Sequence, residues 1–205
     1  MKLLQLDLAL TFVGAFFNNV FKTISMKNLK KITFVFLTIL LTSCSSDDDS
    51  NTSESNFILV GDSSFEMKAA LVEPSFNSVF LSLTNSTEAE ITASFEGTTL
   101  NNVDYFSARI NHFDLAPGES YDLSDISSLE FIVNGDVIGA EFENGISQFY
   151  KSGTNPDLEV TAGSITVYDY SVDSIDLSFS FTRNDGTEIS GLYIGSFLYI
   201  TSGDE

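Results

Sequence analysis

The segment that decides the fold class is Ser174-Ile-Asp-Leu-Ser-Phe-Ser-Phe-Thr182, in which apolar and polar residues alternate at every step. Its apolar face consists of Ile175, Leu177, Phe179 and Phe181. A period of two is typical of a β-strand with one buried face. The turn residues Asn184-Asp185-Gly186 follow at once, so the segment predicts an antiparallel hairpin with a second strand over residues 188–200.

The same alternation extends over most of the chain from Phe57 to Thr201. It recurs around Val79–Leu83, Glu90–Glu96 and Ser164–Tyr168. Turn residues separate these runs at Gly61-Asp62, Pro117-Gly118, Asn134-Gly135-Asp136 and Asn144-Gly145. Roughly nine to eleven short strands and no helix of useful length are expected. The pattern predicts an all-β domain, an antiparallel β-sandwich, with a partly closed β-barrel as the alternative.

Composition excludes several classes of protein. The 205 residues include 29 acidic and 9 basic side chains, a net charge of −20, with one Cys and one His. A single thiol rules out an internal disulfide framework and a multi-thiolate metal site, and a single imidazole rules out a zinc site built on several histidines. The excess of negative charge argues against nucleic acid as a partner, because few cations are present to neutralise phosphates.

Charge is distributed unevenly and divides the chain at Cys44. Residues 1–43 hold five basic groups and one acid, whereas residues 44–205 hold four basic and 28 acidic groups, a net charge of −24. From Met26 the chain has a basic start, an apolar run of about ten residues and a small-residue processing site, the layout of a signal peptide over residues 26–43. Residues 1–25 are then redundant, and we interpret them as a mis-assigned N-terminal extension.

The end of the signal peptide points to a lipid anchor. Leu41-Thr42-Ser43-Cys44 resembles the lipobox of bacterial lipoproteins. The resemblance implies that the Cys44 thiol receives a diacylglycerol thioether, that the chain is cut just before it, and that the new amino terminus is acylated. An incidental Cys after an ordinary signal peptide is the alternative.

The segment after Cys44 predicts the location of the protein. Residues 44–56 are polar and acidic, so they should form a flexible tether in front of a single β domain over residues 57–205. Cys-Ser-Ser-Asp-Asp-Asp resembles the start of surface lipoproteins of Bacteroidota, in which acids after the Cys act as an export signal; here these would be Asp47, Asp48 and Asp49. We therefore expect an outer-membrane lipoprotein exposed at the cell surface, with the periplasmic face as the alternative.

The order of elements in the domain also resembles small Bacteroidota lipoproteins. The shared features are a hairpin at 57–72, the turn Leu-Ala-Pro-Gly-Glu-Ser-Tyr at 115–121, and a closing Thr-Ala-Gly-Ser-Ile-Thr-Val, Asn-Asp-Gly-Thr and Gly-Leu-Tyr-Ile-Gly. The resemblance implies a β-rich lipoprotein and carries no activity with it.

Catalytic and metal chemistry find little support in the sequence. His112 has no nucleophile elbow of the Gly-x-Ser-x-Gly type to work with. Pairs of carboxylates could hydrolyse glycosides, but with this many acids some pair is expected at almost any distance. A weak calcium site could be formed by the acid-rich turn at 184–188 or by Asp169 with Asp173, although neither matches a known calcium loop. No other cofactor is indicated.

Tyrosines are the other candidate binding residues. Tyr168 and Tyr170 are expected to share a face, and Tyr193 lies between Gly191 and Gly195, which leave room for a bulge, a packed neighbour or a ligand. Stacking on sugars is one interpretation of these three rings. Sugar sites usually also contain Trp, which the chain lacks, so core packing is the stronger interpretation. Asp173-Ser174-Ile175 resembles a three-residue O-glycosylation site of Bacteroidota, with Ser174 as the acceptor.

Together these features predict a lipid-anchored protein of the cell envelope, without catalysis, that binds a glycan or a protein ligand or serves as an envelope component. A hydrolase of envelope or dietary polymers, and a structural partner of an outer-membrane complex, are the alternatives. The partners expected are the membrane, through the lipid anchor, and no nucleic acid.

Overall fold

The computed structural model describes residues 56–138 and 141–201, which belong to one compact unit, Thr52–Glu205. The described residues form twelve strands: β1 (Phe57–Val60), β2 (Ser63–Glu66), β3 (Ala69–Ser75), β4 (Ser78–Thr84), β5 (Leu100–Ile110), β6 (Ser120–Asp122), β7 (Ile126–Ile138), β8 (Glu141–Glu143), β9 (Ile146–Tyr150), β10 (Val160–Tyr170), β11 (Ser174–Arg183) and β12 (Glu188–Tyr199). One helix, α1 (Glu88–Phe95), and a 3₁₀ turn, Pro156–Leu158, complete them. The all-β prediction is confirmed.

The strands follow one open path in the order β6-β10-β11-β12-β3-β4-β5-β7-β8, with β1 and β2 added beside β12 and β9 beside β7. The pairing of β12 with β3 is parallel, and the other strand pairs are antiparallel. Because the path does not return to its start, the sheet is not closed as a barrel would be. The sandwich-like arrangement is the one observed.

β12 joins the two layers of this sandwich. Up to Ser196 it pairs with β11, and from Phe197 to Tyr199 it pairs with β3. The two parts of the sheet then face each other: Phe106 of β5 stacks on Phe179 of β11 with ring centroids 4.6 Å apart. Phenylalanines from both layers therefore fill the core, as the alternation in β11 requires.

The predicted antiparallel hairpin is confirmed, and the structure supplies its register. β11 and β12 are antiparallel, with Phe181 opposite Ile189 and Thr182 opposite Glu188. All four apolar residues of β11 are buried: Ile175, Leu177, Phe179 and Phe181. A one-residue slip would expose this entire row, so burial locks the register.

The strand predicted over Glu90–Glu96 is wrong, because this segment forms α1. Thr87 caps the helix: its hydroxyl accepts from the Glu90 N–H, and the Glu90 carboxylate accepts from the Thr87 N–H. This capping box is a signal that favours a helix over a strand. Ile91 and Ser94, three residues apart, form the buried side of α1.

The turn predicted at Asn134-Gly135-Asp136 is also wrong. These residues lie inside β7, where Asn134 has a positive φ of 55° and pairing with β5 shifts register. The positive φ of a bulge uses the same residue types as a hairpin turn, which explains the error. The predicted turn at Asn144-Gly145 is confirmed between β8 and β9.

The segment after β5 crosses from one layer to the other and is pinned by Tyr121. Its ring is buried, and its hydroxyl oxygen accepts a hydrogen bond from the N–H of Ala116 at 2.9 Å, five residues upstream. A tyrosine hydroxyl bonded to the backbone just before its own strand is the tyrosine corner of Greek-key sandwiches. The signal was present in Leu115–Tyr121, and sequence reasoning did not use it.

Replacing Tyr121 by Phe should lower the free energy of unfolding by about 1–2 kcal/mol, because the Ala116 N–H loses its acceptor in a half-buried corner. Urea denaturation measures the change. The control is Tyr168→Phe, which removes a surface hydroxyl bonded to Ser178 and should cost about 0.5 kcal/mol or less. Equal losses in the two variants would contradict a special role for the corner.

Candidate functional site

One end of the sandwich gathers several loops. β12 runs parallel to β3, so both strands finish at the same end of this layer. β4 runs antiparallel to β3 and β5 antiparallel to β4, so β5 finishes there too. The β3–β4 turn, the loop after β5 and the end of β12 therefore lie together at this end. Each of these carries a large apolar side chain in solvent, namely Phe76, Phe113 and Tyr199. Exposed apolar side chains gathered at one end are more informative than scattered ones, and they make this end a candidate contact surface.

A groove lies at this end where the loop after β5 meets the β10–β11 turn. We call it the end groove; it encloses about 580 Å³ and is lined by Asp114, Leu115, Pro117, Tyr170, Ser171, Val172, Phe197 and Tyr199. Its residues come from three parts of the chain, 114–117, 170–172 and 197–199, which are separated by 53 and 25 positions. Only the tertiary fold brings them together.

Aromatic rings form one wall of the end groove. Tyr170 stacks on Phe197 with ring centroids 5.5 Å apart and 25° between the planes. Tyr199 is 56% exposed and Val172 is 94% exposed, so both present apolar surface to solvent at the rim. Phe197 itself is buried, so the accessible ring area comes from Tyr199 and from the half-buried Tyr170, which Phe197 holds in place by stacking.

Asp114 supplies the charged group of the end groove. Its Oδ1 accepts the N–H of Leu115 at 2.9 Å, and its Oδ2 has no described protein partner. Burial, together with the nearby Asp114 and Tyr199, raises the pKa of Tyr170. The Tyr170 hydroxyl can donate a hydrogen bond, and the Asp114 Oδ2 can accept one.

The three tyrosines predicted as a binding set do not share one face. The pairing of β10 with β11 shifts register between Val167 and Asp169, which places Tyr168 on the outer surface, bonded to Ser178, and Tyr170 against the core. Tyr193 is 1% exposed, and its hydroxyl donates to the Ser196 carbonyl at 2.7 Å. The expected shared face of Tyr168 and Tyr170 is therefore wrong, and the Tyr193 ring has no surface free for stacking.

The glycines around Tyr193 serve packing. A Cβ at Gly191 would overlap the ring of Phe179 across the hairpin, and a Cβ at Gly195 would lie 3.1 Å from the Tyr193 hydroxyl. The sequence left three roles open for these glycines: room for a bulge, for a packed neighbour or for a ligand. The structure shows a packed neighbour. Tyr170 is the one predicted stacking residue that lines a groove.

Several of the candidate calcium ligands accept hydrogen bonds from protein groups. Arg183 donates to both oxygens of Asp185, and this contact, with the N–H of Thr187, holds the pKa of Asp185 well below its usual range. Asp169 accepts from Tyr170, and Asp173 from Ser171. Among residues 56–138 and 141–201 no three His, Cys, Asp or Glu side chains converge as metal ligands would.

The remaining predicted residues either do not line the end groove or lie outside the described residues. Ser174 begins β11, and its hydroxyl contacts that of Ser171 at 2.7 Å. His112 is 3.8 Å from Asp125 and packs edge-on against Tyr121, and no serine hydroxyl bonds to it in the described part of the chain. Cys44 and Asp47, Asp48 and Asp49 lie outside the described residues.

The fold and the end groove define an all-β protein of the open, sandwich-like class with a ligand-sized concavity at one end. No family model, curated protein or solved structure matches the chain. Across the residues that the structure describes, no helix is both long enough and apolar enough to span a membrane.

Proposed function

We propose that this protein is a lipid-anchored, non-catalytic component of the bacterial cell envelope that binds an uncharged glycan in the end groove. The observation that carries the glycan assignment is the pair of tyrosine rings, Tyr170, supported by the buried Phe197, and the exposed Tyr199, beside the free oxygen of Asp114. A sugar ring has an apolar face that can lie on such rings and hydroxyl groups that can donate to a carboxylate.

Charge supports an uncharged ligand. The chain from Cys44 onward has a net charge of −24, and Asp114 adds a carboxylate at the end groove itself. This negative field would repel an acidic polysaccharide, whereas an uncharged polysaccharide would experience no net repulsion. The same field opposes nucleic acid.

The anchor rests on Leu41-Thr42-Ser43-Cys44, and the surface location on Asp47, Asp48 and Asp49. The absence of catalysis is part of the proposal: His112 is exposed, and the acids of the end groove comprise Asp114 alone among its described lining residues. Glycoside hydrolysis in its usual form needs two carboxylates across the scissile bond.

Replacing Tyr199 by Ala should weaken glycan binding about tenfold, because the exposed stacking surface is lost. Asp114→Asn should also weaken binding, since the carboxylate becomes a poorer acceptor. The assay is a glycan array of neutral and uronic-acid-containing oligosaccharides, followed by calorimetry. Tyr168→Ala is the matched control, because Tyr168 is 55% exposed against 56% for Tyr199 and lies outside the end groove.

Three outcomes contradict this proposal. Equal weakening by Tyr168→Ala would show that any surface tyrosine contributes. Preference for acidic oligosaccharides would refute the charge argument. Absence of glycan binding, with crosslinking of the Tyr199 face to an envelope protein, would replace the glycan with a protein partner.

A further inference from the structure

A second concavity lies on the opposite side of the β3–β4–β5 layer from the core. Phe80, Ser82 and Thr84 alternate with core residues along β4 and so point away from the phenylalanine core. Helix α1 lies over this outer face, and a cleft of about 280 Å³ remains between helix and sheet. We call it the helix cleft. It shares no lining residue with the end groove.

The walls of the helix cleft are apolar. Leu71 and Phe80 come from the sheet, Ile91 and Phe95 from α1, and Phe142 from β8. Phe142 also stacks on Tyr105 with centroids 5.3 Å apart. A mostly apolar concavity with a few convergent polar groups is the usual form of a small-molecule site.

Its polar groups are hydroxyls. Ser82, Thr84, Ser86 and Ser94 all line the helix cleft and are all more than nine-tenths buried, with exposures of 5%, 3%, 7% and 3%. Burying a hydroxyl is costly unless it is hydrogen-bonded. Their partners therefore decide what the cleft can accept.

Three hydroxyl hydrogens at this site are left without a protein acceptor. Ser82 and Tyr105 share a single hydrogen bond of 2.9 Å, so one of their two O–H groups remains unused. Thr84 accepts from the Ser86 N–H but makes no described donation, and the Ser86 hydroxyl has no described protein partner. Among the four buried serine and threonine hydroxyls, Ser94 is the one with a defined acceptor, because it donates to the Ile91 carbonyl. The helix cleft therefore contains unused hydrogen-bond donors, which a ligand with an acceptor oxygen would satisfy.

Formal charge is nearly absent from the helix cleft. Among its described lining residues, Glu73 is the one carboxylate, and no cationic side chain is present. No lining side chain could pair with an anionic ligand, because the nearby guanidinium of Arg109 lies over the Phe80 ring, 5.1 Å from its centroid, and donates to Ser78. A charged ligand of either sign would lose its hydration against walls that are mostly apolar.

We propose that the helix cleft binds a small uncharged amphiphile, with an aliphatic or alicyclic body against the apolar walls and an acceptor oxygen on the unused hydroxyls. The volume limits the body to a small one, since 280 Å³ equals the liquid volume of about nine waters. This site is independent of the glycan proposal, because the two concavities have no residue in common.

The test compares three probes that share one ring: cyclohexanol, cyclohexanecarboxylate and cyclohexylammonium. The full chain is reconstituted in lipid nanodiscs, and saturation-transfer NMR measures binding, with protein-free nanodiscs as the blank. Cyclohexanol should bind saturably, and each charged analogue at least about tenfold more weakly. Thr84→Val and Ser86→Ala should each weaken cyclohexanol binding about five- to tenfold, because each removes an unused donor from the lining.

Ser180→Ala is the matched control: it deletes an exposed serine hydroxyl on β11, outside the helix cleft, and should leave cyclohexanol binding unchanged. Chemical-shift changes in the wild-type protein provide a readout that needs no variant, and they should centre on Ser82, Tyr105 and Ile91. Non-saturable uptake, equal binding of the three probes, or shift changes away from these residues would each overturn the proposal.

Discussion

Replacing Gly163 by Ala is expected to lower the free energy of unfolding by about 2–5 kcal/mol. Gly163 lies in β10 with a φ of +134°, a conformation that costs an L-residue about 1–2 kcal/mol. A Cβ there would also lie 2.6 Å from the Cα of Phe181 and would overlap the carbonyl oxygen of Ser180 in β11. Because these are backbone atoms of the paired strand, the clash is relieved only by moving β10 away from β11, at a cost of about 1–3 kcal/mol more.

The control isolates the steric part of this loss. Gly97, just after α1, also has a positive φ, +97°, but a Cβ there would meet nothing within 4 Å. Gly97→Ala should therefore cost only the conformational strain, about 1–2 kcal/mol. Urea unfolding of both variants measures the difference. Equal losses at the two positions would mean that the β10–β11 contact tolerates a methyl group.

The largest functional effect is expected at Cys44. Cys44→Ala should abolish lipidation and the cleavage that depends on it, because the thiol is the only group at this position that can form the thioether. One acyl chain holds a protein only marginally, at about 0.8 kcal/mol per buried methylene, whereas the three chains of a mature bacterial lipoprotein make attachment effectively permanent. Detergent phase separation and mass spectrometry of the mature amino terminus measure both losses.

Replacing Asp47, Asp48 and Asp49 together by Ala separates anchoring from export. This variant should keep the lipid and the cleaved amino terminus but lose access to protease added to whole cells. Wild-type protein in the aqueous phase, or a mature chain that begins elsewhere than Cys44, would refute the anchor. Unchanged protease access in the triple variant would refute the export signal alone.

The core hairpin could be predicted because its determinants are local. Alternation in Ser174–Thr182 and the turn at Asn184-Asp185-Gly186 lie within thirteen residues, and hydrophobic burial and turn geometry favour the same register. The strand error at 90–96 has a local cause as well. Over a segment this short, the spacing of Ile91, Ala93 and Phe95 does not separate the period of a strand from that of a helix. The signal that favours the helix is the capping box of Thr87 and Glu90.

The binding concavities could not be predicted in the same way. In the end groove, Asp114, Tyr170 and Tyr199 meet only because β12 leaves β11 and pairs in parallel with β3. A single bulge between Val167 and Asp169 separates Tyr168 from Tyr170, which alternation alone had placed together. Bulges and parallel pairings between distant strands are hard to predict from local sequence patterns, because they depend on how whole layers pack.

The sequence by itself determined the all-β class and the β11–β12 hairpin, because each depends on residues that are neighbours along the chain. The interpretation of Cys44 as an anchor also rests on neighbouring residues and stays a prediction. Tertiary structure alone decided which tyrosines are exposed, why Gly191 must lack a side chain, and where grooves open. These properties belong to surfaces built from three or more distant segments. They follow from how the two layers pack across β12, which no local pattern specifies.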